Sequence, residues 1–326
     1  MLVSSRRAAV LPAASQQTFS ARAPGPDWTL RFAYNMTRSD DTEPRSGVTS
    51  DRQERERLDD SLSYHDILQR EIRNALREIR RPTPAVFISG VSAGLNVSFG
   101  ALFMGMVLSL SNGFSSPVVA RVTLGTVSTI GFLFVILGQT ELFTAHTTMA
   151  ILPVLDGRAS LRDLGELWAA VYVSNLLGCA GFTALIAMLG PMLNVASGAA
   201  FTTLATELVT PSGPAIFLSA VIAGWLMGLV TWLVAGCQDT TSRVLVIIVV
   251  TAGIGFAPFH HALLGTTEVL SAIVLGSAVT LSDFGHFLLW TTVGNVVGGA
   301  VFVALLNYGH VAYFTESEYS YYDDGK

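Results

Sequence analysis

The chain has 326 residues, 51% of them hydrophobic and only 13% charged, about half the charge of a soluble domain of that size. Fourteen of its eighteen arginines lie within residues 1–81, and the one lysine is Lys326. This pattern, with a mean hydropathy of +0.51, excludes a soluble globular domain and describes an all-α polytopic membrane protein behind a polar N-terminal segment. The net charge of −5 gives no basis for a nucleic-acid partner.

Residues 1–50 are rich in Ser, Arg, Pro and Ala without sustained periodicity, and are expected to form a disordered N-terminal tail. The opening stretch loosely resembles a targeting segment, but its apolar part is too short for a signal peptide. Met36 is an alternative start. From 51 to 81, Leu58, Leu62, Ile67, Leu68, Ile72, Leu76 and Ile79 recur at helical spacing among Arg and Glu. This is an amphipathic helix ending at Pro82, and its basic end places it on the cytoplasmic side.

The region 82–310 reads as a six-span transporter domain. Apolar runs cover about 86–111, 122–155, 165–190, 214–235, 244–280 and 284–308. The second and fifth are too long for one helix crossing a ~30 Å core. Each is expected to be two half-helices joined by an irregular segment, tolerable only inside protein or along a cavity. With the N-terminus inside, the inner loops hold Arg158, Arg162 and Arg243 and the outer loops only Arg121. That bias puts both termini, including a C-terminal tail 311–326, in the cytoplasm. Cys179 and Cys237 lie in apolar spans without ligand spacing. They read as small core residues, and neither a metal nor a cofactor is expected.

An internal repeat runs through the spans. "VFISGVSAGL" (86–95) pairs with "IFLSAVIAGW" (216–225), and "SNLLGCAGFTAL" (174–185) with "GNVVGGAVFVAL" (294–305). Repeat 1 (86–190) and repeat 2 (214–308) hold three spans each, so the halves are inverted in the membrane, as in transporters and channels. "GQTELFT" and "GTTEVLS", 127 positions apart, suggest that Glu141 and Glu268 are symmetry mates near the midplane. Carboxylates in lipid-spanning helices are costly. Both glutamates are therefore expected to support the broken-helix backbone, with Asn175 and Asn295 doing the same. His146 and His286 are expected at interfaces with water.

These residues resemble the formate/nitrite transporter family, in a divergent branch similar to the YfdC-type proteins with their extended N-terminal tails. "ELFTAH" (141–146) resembles the family's loop motif in the broken second span. "GWLMGLVTW" (224–232) resembles its fourth-span motif, and "FHHALLG" (259–265) its fifth-span Phe-Glu-His-x-x-x-Asn. The resemblance implies a homo-pentamer of six-span protomers in the lipid bilayer of the cell membrane. Each protomer would carry small monovalent anions such as formate, nitrite, hydrosulfide or lactate with proton involvement. It makes His261 the central histidine and Leu142, Phe143 and Thr144 the narrowing loop, with His260 and Phe259 along the pathway. Departures are His260 for the family glutamate, Gly265 and Gly224 for asparagines, no vestibule lysine, and the added Glu268. Two other classes stay open on the residues alone: a neutral-solute channel of aquaporin-like architecture, and a membrane metalloenzyme using His260, His261 and Glu268. The first lacks an Asn-Pro-Ala signature; the second needs adjacent histidines that point apart on a helix.

Overall fold

The structure, a computed structural model, describes residues 62–111, 113–193 and 196–311. The expected tail 1–50, residues 51–61 of the amphipathic helix and residues 312–326 lie outside the described residues. Among the described residues all regular structure is helical.

Helix α1 (Tyr64–Ile79) starts at a capping box. The Ser63 hydroxyl accepts from Asp66 N–H at 3.1 Å, and the Asp66 carboxylate accepts from Ser63 N–H at 3.2 Å, which satisfies two of the orphan donors of a helix start. Helix α1 ends at Ile79, ahead of Pro82, the N-cap of the next helix. Its apolar stripe, Leu68, Ile72 and Ala75, is buried; Leu68 and Ile72 pack with Leu152, Trp232 and Val303. Arg70 donates to the Ala235 carbonyl at 2.7 Å, tying α1 to the end of a membrane helix.

The spans follow as α2 (Thr83–Leu110), α3 (Pro117–Leu137), α4 (Phe143–Met149), a single turn α5 (Leu152–Leu155), α6 (Leu161–Leu193), α7 (Gly198–Val209), α8 (Gly213–Gly236), α9 (Thr240–Phe256), α10 (Ala262–Val274) and α11 (Leu281–Gly299). A π-helical turn, Ala300–Leu305, carries α11 onward to Val311. Ser116, Ser197, Asp239 and Thr280 cap α3, α7, α9 and α11 through side-chain oxygens. Among the described residues five helices are long and apolar enough to cross a membrane; α9 and the paired half-helices are shorter. The second span is therefore α3 followed by α4, and the fifth α9 followed by α10. One element was not anticipated. The link between the third and fourth spans holds α7, whose Phe201, Leu204 and Leu208 pack with Val269 and Ala272 of α10 and Phe287 of α11.

The two repeats use the same close contact. A Cβ added at Gly94 of α2 would lie 2.2 Å from the Asn175 carbonyl and 2.9 Å from Gly178 Cα of α6. In the second half, a Cβ at Gly298 of α11 would lie 2.2 Å from the Val221 carbonyl and 2.9 Å from Gly224 of α8. The aligned stretches make Gly94 the mate of Gly224 and Gly178 the mate of Gly298. Backbone-to-backbone contact of this kind is what lets helices associate in lipid, where no hydrophobic force drives them together. Gly178→Val and Gly298→Val should each lower the stability of the purified protein by about 1–3 kcal/mol or more through overpacking. Gly165→Val, at a position with nothing within 4 Å, should leave it unchanged. Thermal unfolding of the three variants in detergent checks this.

Candidate functional site

Each broken span is held by one asparagine carboxamide. Asn175 of α6 donates to the carbonyls of Gly90 and Glu141, both at 2.8 Å, and accepts from Phe143 N–H at 2.8 Å. Asn295 of α11 donates to the carbonyls of Ala220 at 2.8 Å and His260 at 2.9 Å, and accepts from Ala262 N–H at 2.9 Å. Both carboxamides are fully buried. Each satisfies three backbone groups held away from bulk water. In the first break Gln139 adopts a φ of +53°, which turns the chain between α3 and α4.

These bonds fix the register of the repeat, and it is not that of the two glutamates. Glu141 stands opposite His260, Leu142 opposite His261, and Phe143 opposite Ala262. The Gly-x-Thr-Glu frame matches by coincidence: Glu141 precedes its half-helix, whereas Glu268 lies in the middle of α10. Among the described residues no hydrogen bond reaches the Glu268 carboxyl, so it does not support the break. Glu141 contributes its main-chain carbonyl to Asn175, while its carboxylate pairs with Arg81 at the head of α2.

His261 is the N-cap of α10. Its Nδ1 accepts from Leu264 N–H at 3.1 Å, and its Nε2 lies 2.9 Å from the Thr144 hydroxyl of α4. An amide can only donate, so the ring hydrogen sits on Nε2 and points at Thr144. The Phe132 ring stands edge-on at 5.0 Å. His261 and Thr144 are buried, and their contact brings the N-terminal ends of α4 and α10 face to face. The amides of Thr144 and Leu263, second residues of the two half-helices, find no acceptor among the described residues.

The other residues expected along the pathway also make contacts with the scaffold. His260 spends both ring nitrogens on the scaffold: Nδ1 meets Ser219 Oγ at 2.8 Å and Nε2 the Leu208 carbonyl at 3.0 Å. It thereby joins α7 and α8. Phe143 packs on Trp168 and Tyr172 of α6, with ring centroids 6.0 and 4.7 Å away. Leu142 is buried, and its carbonyl accepts from His146 Nδ1 at 3.0 Å. His146, expected beside water, is itself buried and carries an unpartnered Nε2. Where the resemblance implies an asparagine, Gly265 makes room for Phe287, whose ring would lie 2.5 Å from an added Cβ.

A cavity of about 1330 Å³ opens on one side of this centre. Arg70, Arg73, Arg77 and Arg80 of α1 and its corner, with Arg243, line it together with Glu71, Glu78, Glu141 and His146. Arg81 bonds Glu78 at 2.7 Å as well as pairing with Glu141, which fastens the α1–α2 corner to the first break. On the opposite side a small cavity of about 20 Å³ is bounded by Phe259, Leu264 and Glu268, with Arg121 and Glu207 at its edge. The Arg81–Glu141 pair joins positions 60 apart, and Arg121–Glu207 positions 86 apart. Neither pairing has a local sequence signal beyond the isolated charge.

Glu71 faces the larger cavity with an unpartnered Oε2. Burial pushes its carboxyl from an ordinary 4.5 up to about 8. Between those values the folded chain holds a proton that the unfolded chain has released. The docking of α1 is therefore firmest below the ordinary carboxylate range and loosens as pH rises toward 8. Amide exchange in α1 should quicken between about pH 5 and about pH 8 in the native chain, beyond the intrinsic pH effect, and lose that dependence in Glu71→Gln.

A family model described as "Formate/nitrite transporter" matches residues 65–309. The chain is 28% identical over 239 residues to the inner membrane protein YfdC of Escherichia coli K12, covering 72% of this chain and 74% of that one. It is 28% identical over 223 residues to the nitrite transporter NirC of Salmonella typhimurium LT2, covering 67% and 80%. Among solved structures, an FNT family ion channel superposes with a TM-score of 0.69 at 24% identity over 74% of this chain and 97% of that one. A pentameric formate channel with formate bound superposes at 0.61 with 21% identity over 71% and 98%. These last two carry the fold. With a model spanning most of the chain and the helix breaks in the expected spans, the protein belongs to the formate/nitrite transporter family: it is a multi-pass membrane transporter or channel, not an enzyme.

Proposed function

We propose that the chain carries small monovalent anions of weak acids, such as formate or nitrite, past His261, with a proton involved in the passage. The observation that carries this reading is the contact between His261 Nε2 and Thr144. It sets two half-helix N-termini against each other, each with a backbone donor that finds no acceptor among the described residues. Helix starts favour negative charge. An anion leaving water for a passage walled by Leu142, Phe132 and Phe259 loses hydration, and convergent N–H and O–H donors offset part of that cost.

The larger cavity, where Arg70, Arg73, Arg77, Arg80 and Arg243 outnumber Glu71, Glu78 and Glu141, supports an approach of anions from that side, since a net excess of one sign raises the local concentration of the opposite ion. We orient that cavity, and with it both termini, to the cytoplasm, because α1 and Arg243 carry the basic residues there. His261 enters this scheme as a donor through Nε2 and is held by its backbone bond at Nδ1. Taking a second proton would require breaking the Leu264 bond, which gives the proton step a structural threshold. A homo-pentamer in the lipid bilayer is part of this reading, supported by the pentameric formate channel of similar fold and by the apolar outer faces of the spans. Residues such as Leu177, Val249 and Leu289 are exposed in the single chain.

Uptake of formate, nitrite and nitrate into proteoliposomes, with an imposed pH gradient, tests the reading. Formate or nitrite should enter faster than through empty vesicles, and faster still when the outside is acidic. His261→Asn keeps an N-cap acceptor but removes the Nε2 donor. It should leave the thermal midpoint near the native value and slow formate uptake by about tenfold or more, equivalent to the loss of about 1.4 kcal/mol. Native flux in His261→Asn would remove the histidine from the mechanism. Passage of glycerol with no anion uptake would establish the neutral-solute alternative.

A further inference from the structure

Helix α1 sorts its charges by face. Arg73, Arg77 and Arg80 recur at spacings of four and three, which puts them along one flank. Glu71 and Glu78, seven apart, share a different flank. The three arginines are exposed and line the larger cavity. Among the described residues no ion pair engages any of them, and Arg77 bonds only the neighbouring Asn74. Arg70, by contrast, is spent on the Ala235 carbonyl, and Arg81 on Glu78 and Glu141. A row of exposed guanidiniums left over by the fold offers a docking surface for carboxylates.

The last described residues lie against the same helix. Val311 is buried in a cluster with Leu68 and Ile72, and the His310 ring stands edge-on to Tyr64 at 5.2 Å. Residues 312–326 therefore set out from α1. They hold Glu316, Glu318, Asp323 and Asp324 against the single Lys326. Tyr319, Tyr321 and Tyr322 stand among the acids, and guanidiniums stack on such rings. From Ile72 to Arg80 the helix advances ~12 Å. Extended chain from Val311 covers ~17 Å by Glu316 and ~43 Å by Asp324, so the segment is long enough to reach all three arginines. Residues 1–61 carry nine arginines and nine acidic residues, and that balance gives them no net attraction to a basic flank.

We propose that residues 312–326 dock along the Arg73, Arg77 and Arg80 flank of α1 through their carboxylates and cover the mouth of the larger cavity, competing with permeating anions for the same positive charge. The covering role rests on the transport reading above; the docking does not. Each exposed pair is weak alone. Several pairs on one tethered segment act together, because the tether holds the acids at an effective concentration on the order of millimolar. Exposed pairs are screened by salt, so ionic strength loosens the cover.

Arg77→Lys and Arg80→Lys keep the charge and place a side-chain amine on α1, in a chain whose only lysine is Lys326. A zero-length carbodiimide joins an amine to a carboxylate in direct contact. In the purified full-length variants at low salt, mass spectrometry should find position 77 or 80 joined to Glu316, Glu318, Asp323 or Asp324. The yield should fall by about tenfold or more in ~0.5 M salt. Arg162→Lys, at an exposed position of α6, is the control and should join these acids about tenfold less or below. Equal yields at 77, 80 and 162 would overturn the docking. So would coupling of 77 and 80 to an added carboxylic acid but never to residues 312–326. In proteoliposomes, Glu316→Gln, Glu318→Gln, Asp323→Asn and Asp324→Asn together should raise formate uptake by about twofold or more at low salt, with the difference gone at high salt. Cross-links with unchanged uptake would overturn the cover. Native chain with no anion uptake would overturn the transport reading and the cover with it, while the cross-links still decide the docking.

Discussion

Two buried asparagine side chains make this membrane fold possible. A span that stops and restarts inside a bilayer strands peptide groups where water cannot reach them. Asn175 and Asn295 each bond a carbonyl inside the break, two residues before the half-helix, the first amide of that half-helix, and a carbonyl on a facing span. The small-residue contacts Gly94–Gly178 and Gly224–Gly298 bring the facing spans close enough for those short side chains to reach. The glycines set the distance, the asparagines use it, and the breaks then fall at equivalent points in the two halves.

Within that shared frame the two breaks carry different chemistry. The first presents Glu141, tied outward to Arg81, and then Leu142 and Phe143. The second presents His260, committed to α7 and α8, and then His261, turned inward to Thr144. A symmetric scaffold therefore supports two unlike cavities. One side is broad and lined with arginines, whereas the other is narrow and holds a carboxyl beside a self-satisfied ion pair. Inverted repeats permit this, because substitutions in one half change one end of the route without disturbing the backbone contacts common to both.

The helical class, the long second and fifth spans and the repeat were legible in the sequence because they rest on composition and local periodicity. So was the importance of Asn175 and Asn295, since an amide in an apolar span needs backbone partners. The register of the glutamates was not legible. "GQTELFT" and "GTTEVLS" match as strings, but a half-helix start is defined by which carbonyl meets which amide, and the decisive atoms are main-chain ones with no sequence signature. Helix α7 was hidden because a short amphipathic helix between spans has the same composition as an apolar loop. His260 and His261 read as equivalent neighbours in the sequence. Their division of labour follows from the N-cap geometry, which turns successive side chains to different sides.

The central claim is that a permeating anion meets His261 where the two half-helices face each other. Magnetic dipolar coupling between isotope-labelled formate and the labelled ring nitrogens of His261, measured on the protein in lipid bilayers, tests it most directly. Coupling of the formate carbon to Nε2, stronger than to Nδ1 and weakened when Thr144 is replaced by valine, is the expected result. Formate coupled only to the arginine side chains of the large cavity, with none at His261, would contradict it.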